Sequence, residues 1–82
     1  MVHVYELDGV RLAQEGHAYL REVFGFPDYY GDNADALYDC LSSLSEETLV
    51  FLGHADEAPA RLVQVMQDAV DANPRFTLIE EA

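Results

Sequence analysis

Residues 48–53 read TLVFLG, five apolar or β-branched positions in a row closed by a glycine. The run is short for a helix and does not alternate, so it fits a strand covered on both faces or central to a parallel sheet. Helical patterns flank it on both sides. Upstream, Ala34, Leu37, Leu41 and Leu44 recur at helical spacing, with Asp32 or Asn33 available as the N-cap. Downstream, Leu62, Val65, Met66, Ala69 and Val70 share one face of a helix that Asp56 can cap, with Pro59 in its first turn. Asn73-Pro74 stops that helix, and RFTLIE (75–80) reads as a strand. At the other end VHVYEL (2–7) is a further strand, closed by the turn signal Asp8-Gly9. Leu12, Leu20, Val23 and Phe24 then predict one helix over about 12–24, weakened at Gly16 by about 1 kcal/mol and ended by Gly25 and Pro27.

The order strand, helix, helix, strand, helix, strand favours parallel pairing through crossovers. We therefore expect an α/β fold in two layers: a three-stranded parallel sheet in the order 1-2-3, with the helices packed on one face. The 82 residues form a single domain, 1–82, with no repeat or linker.

The net charge is −12, all four basic residues are arginines, and nine acids separate Arg21 from Arg61 without an intervening base. Such a chain repels nucleic acid and anionic membranes and attracts cationic partners. One cysteine, Cys40, excludes an internal disulfide and a Cys-based zinc site. The N-terminus carries no basic leader or long apolar run, so the expected location is cytoplasmic.

The negative charge concentrates in PDYYGDNADALYDCL (27–41). On a helical wheel at about 100° per residue, Asp32, Asp35, Asp39 and Ser42 oppose the apolar stripe, with Tyr38 at their flank. Asp35 and Asp39 are like charges at i,i+4, which costs a helix a few tenths of a kcal/mol, and no base lies within four residues. A solvated polar face accounts for acids alone. Tyr29, Tyr30 and Tyr38 beside them add a residue type enriched at binding hot spots, and the mixture suits arginine, lysine or protonated histidine.

The run FPDYYGDNADALYDCL (26–41) strongly resembles the barstar family, intracellular inhibitors of barnase-type microbial ribonucleases. The resemblance implies a barstar-like fold and a protein that plugs an RNA-cleaving site. It implies that Asp39 stands in for the scissile phosphate, that Asp35 pairs with a further donor group, and that Tyr29 packs near the catalytic histidine. It also implies that Gly31 permits close backbone approach and that Asn33 pins the loop to the helix start. The chain departs from a familiar member at two positions: Tyr38 replaces a tryptophan, and Asp68 replaces a glutamate on the last helix. The implied partner is an extracellular-type, basic ribonuclease, met by a monomer that needs no cofactor.

Metal binding and hydrolysis both fit these residues poorly. An EF-hand from Asp28 would need glycine where Asn33 stands, and His3, His17 and His54 give no zinc spacing. Hydrolysis by Asp35 and Asp39 would need an enclosed pocket to raise one pKa, which a helix surface does not provide, so no enzymatic activity is expected. The alternative function is an acidic decoy for a different cationic protein or toxin, which would lose affinity gradually as any acid is removed.

Overall fold

The computed structural model describes residues 1–27 and 30–82. These form β1 (His3–Asp8), α1 (Gly9–Glu15), α2 (His17–Phe24), α3 (Ala34–Ser42), β2 (Thr48–Gly53), a 3-10 turn (Ala55–Glu57), α4 (Ala60–Ala72) and β3 (Phe76–Glu80). The strands pair in the order β1-β2-β3, both pairs parallel, as the order of patterns required. TLVFLG is the central strand. Its register sets Tyr5 beside Val50 and Val50 beside Leu78.

One face of the sheet is covered and the other is open. Leu7, Val50, Leu52 and Phe76 are buried with Leu12, Leu20, Leu37, Leu41, Leu62 and Met66 from the helices. The alternate positions Val4 and Ile79 are exposed, so the sheet supports a two-layer domain. Burial on one face is the main stabilising contribution, at roughly 1.5–3 kcal/mol per large apolar side chain.

Three local expectations are corrected. The helix expected over 12–24 is two helices, because Gly16 takes φ 58°, ψ −132° and redirects the chain. The first of them starts at once after β1, with the Asp8 carboxylate accepting from the Val10 N–H (3.0 Å), so Asp8-Gly9 is a helix start and not a free turn. Gly9 is required sterically: a Cβ there would lie 2.1 Å from the His54 carbonyl oxygen. Asp56 does not cap α4; it belongs to the 3-10 turn, and Pro59 occupies the N-cap position.

Asn73 ties the layers together and is buried. Its Nδ2 donates to the carbonyls of Leu41 (3.0 Å) and Leu44 (3.1 Å), and its Oδ1 accepts from the Arg75 N–H (3.0 Å). One amide thus closes the C-terminal end of α3 and the turn into β3.

Candidate functional site

The acidic helix begins where the sequence allows it to. Asn33, not Asp32, is the N-cap: its Oδ1 accepts from the Ala36 N–H at 2.8 Å. Its Nδ2 donates back to the Gly31 carbonyl at 3.1 Å. A Cβ on Gly31 would come within 2.9 Å of that Nδ2, so this glycine has an internal reason as well as the implied external one. Asp32 lies outside the helix, in the left-handed region at φ 50°.

Leu37 and Leu41 bury the inner face of α3, which packs against α4. The outer face carries Asp35, Tyr38 and Asp39, all exposed, with Tyr38 at 37%. Among the described residues neither the Asp35 nor the Asp39 carboxylate has a hydrogen bond or an ion pair. Asp35 sits in the first turn, where the helix dipole favours an anion; Asp39 lies a turn later without that help. Two acids on neighbouring turns, with Cβ atoms about 5–6 Å apart, have the chemistry to accept hydrogen bonds from donor groups. Asp68 is exposed on α4 and accepts from Gln64 Nε2 at 3.0 Å. Tyr29 lies outside the described residues.

Tyr30 differs from Tyr38, which is exposed on α3. It is 3% exposed and belongs to the core. Its ring continues an aromatic row from the sheet: Tyr5 to Phe24 (4.7 Å between centroids), Phe24 to Phe26 (5.2 Å), Phe26 to Tyr30 (4.8 Å). The Tyr30 hydroxyl meets His17 Nδ1 at 2.6 Å. Burial, with Asp32 adding to it, pushes the phenol up to about 12. Tyr30 therefore anchors the loop from beneath instead of standing on its exposed surface.

Sequence spacing missed two groups that reach this loop from α2. Arg21 forms an ion pair with Asp32, and His17 holds Tyr30. Each partner lies more than ten residues away, beyond the range in which helical spacing reports contacts. Cys40 is partly buried on the same helix, and burial, then Asp39, raises its thiol pKa.

Among the described residues no group of three His, Cys, Asp or Glu side chains is arranged to hold a metal ion. A cavity of about 180 Å³ is lined by His3, Tyr5, Leu44, Ser45, Glu46 and Thr48, without Asp35 or Asp39. Among the described residues no helix is long and apolar enough to cross a membrane.

The family model described as "Barstar (barnase inhibitor)" matches residues 1–78. A Bacillus subtilis (strain 168) protein titled "Putative ribonuclease inhibitor YrdF" is 58% identical over 26 residues, a stretch covering 32% of this chain and 29% of that relative. The family match spans β1, the helices and the central strand, and it includes the Asn33-capped acidic helix on which the resemblance rested. This chain belongs to the barstar family.

Proposed function

We propose that this protein inhibits a barnase-type ribonuclease by plugging its cationic active site with α3 and the loop before it. The observation that carries the reading is the pair of exposed, unpaired carboxylates, Asp35 and Asp39, on the outer face of the capped helix. In this reading Asp39 occupies the place of the RNA phosphate and accepts charge-assisted hydrogen bonds from the enzyme's arginines and histidine. Asp35 takes a second donor. Tyr29 packs at the catalytic histidine and Tyr38 adds rigid aromatic area beside Asp39. Gly31 lets backbones approach, Asn33 fixes the loop against the helix, and Asp68 extends the acidic surface on α4. The chain acts as a monomer in the cytoplasm, by occupation of the site and without catalysis of its own.

The free chain holds two like charges close together with no counter-charge paired to them among the described residues, and the complex supplies it. The net charge of −12 also speeds encounter with a basic enzyme, an advantage that falls with salt.

The test is inhibition of RNA cleavage by a barnase-type ribonuclease, titrated with wild type, Asp35→Ala, Asp39→Ala and Glu57→Ala. Stoichiometric inhibition that weakens at least about 100-fold with Asp39→Ala, and hardly with Glu57→Ala, supports a plug. Equal small losses from all three would identify a general acidic decoy instead.

A further inference from the structure

The face of α2 nearest the recognition loop presents His17 and Arg21 one turn apart, and they hold alternate residues of that loop, Tyr30 and Asp32. We infer that Arg21 is a positioning residue for recognition: its ion pair with Asp32 sets the backbone from which Asn33 launches the acidic helix. This rests on the inhibitor reading above. Asp32 adopts φ 50°, a region that an aspartate occupies only at a cost and that glycine occupies freely. It stands between Gly31, whose carbonyl Asn33 grips, and Asn33 itself, whose side chain caps α3. A change in Asp32 would carry the cap, and hence Asp35 and Asp39, with it. Among the described residues the Arg21 Nε is buried without a hydrogen-bond partner, and the guanidinium reaches Asp32 through its Nη2.

Simple electrostatics predicts the opposite effect for this arginine. Arg21 places a positive charge beside a surface built to meet a cationic enzyme, so removing it should speed association. The two roles therefore separate kinetically. If Arg21 positions the loop, Arg21→Gln associates as fast as wild type or faster and dissociates about tenfold faster. Arg21→Lys restores part of the lost residence time. In an Asp32→Gly background, where glycine takes the left-handed conformation unaided, Arg21→Gln changes the dissociation rate less than about twofold.

The experiment is stopped-flow association and dissociation of these variants with a barnase-type ribonuclease, alongside amide hydrogen exchange of residues 30–34 in the free chain. Faster dissociation, faster exchange at these amides, and suppression of both by Asp32→Gly are the expected results. An unchanged dissociation rate for Arg21→Gln, or an equal effect in the glycine background, overturns the role of Arg21 while leaving the inhibitor reading standing. Failure of the wild type to bind overturns the inhibitor reading itself, and the role of Arg21 in recognition with it.

Discussion

Replacing Asn73 with alanine removes one buried and two part-buried hydrogen bonds at once and leaves the surrounding apolar contacts in place. The Leu44 carbonyl and the Arg75 N–H lose the partners described above; the Leu41 carbonyl keeps a 3.4 Å bond from the Leu44 N–H. At a net value of about 1 kcal/mol per bond, moderated where water reaches Leu44 and Arg75, the loss is about 2–3 kcal/mol. A domain of this length has a total stability of roughly 4–12 kcal/mol, so about a sixth of it or more rests on one amide. Each kcal/mol moves Tm by about 4–8 °C at this size, giving an expected fall of about 10–20 °C in calorimetry or thermal circular dichroism. Asn73→Asp sharpens the test. One oxygen still accepts from Arg75, while the other now faces two carbonyl oxygens, so the introduced carboxyl binds its proton more tightly folded than unfolded. Its folded-state pKa is raised, and the variant loses stability relative to wild type as pH rises from about 4 toward neutrality. A fall in Tm below 4 °C for Asn73→Ala, or an Asn73→Asp penalty independent of pH between 3 and 7, would refute the bridge.

Other expectations follow from single contacts. Tyr30→Phe loses the bond to His17 and should cost about 1 kcal/mol at neutral pH, read by urea unfolding. The raised phenol pKa means that its stabilising contribution is complete below pH 10 and is lost as pH climbs toward about 12. Tyr30→Phe should therefore remove part of the alkaline fall in stability, and a spectrophotometric titration should show one tyrosine fewer ionising late. Gly9→Ala drives a Cβ into the His54 backbone and should cost about 3 kcal/mol or more, read as a fall in the urea midpoint. Gly25→Ala, where φ is 66° but nothing lies within 4 Å, should cost only about 1 kcal/mol by the same assay.

The parallel sheet was legible because its central strand is a continuous apolar run between two helical patterns, and few topologies accommodate that order. The acidic face of α3 was legible for a similar reason: helical period converts sequence spacing directly into position. Gly16 was visible as a weak point, but its role as a break depends on where Gly9 and Leu20 must sit, and that is tertiary information. α1 has to start against the His54 backbone, while Tyr19 of α2 has to reach back so that its hydroxyl accepts from the Asp8 N–H at 2.9 Å. One straight helix has no reason to satisfy both. Asp56 looked like a cap because aspartate is a good one; the 3-10 turn consumed it before α4 began. Tyr30 could not be told from Tyr29 or Tyr38 by composition, since only packing on Phe26 reveals an anchor. Arg21 and Asn73 act over separations of 11 residues and 29–32 residues, where no local pattern points from one partner to the other.

In the proposed complex the outer face of α3 meets a ribonuclease active site through Asp39. Isothermal titration of this protein into a purified barnase-type ribonuclease, with Asp39→Ala in parallel, addresses it directly. The account predicts one-to-one binding for the wild type, together with loss of RNA cleavage in the same mixture, and an affinity that collapses for Asp39→Ala while the fold is retained. Binding of wild type and Asp39→Ala with the same affinity, or a wild-type mixture that still cleaves RNA at full rate, would contradict it.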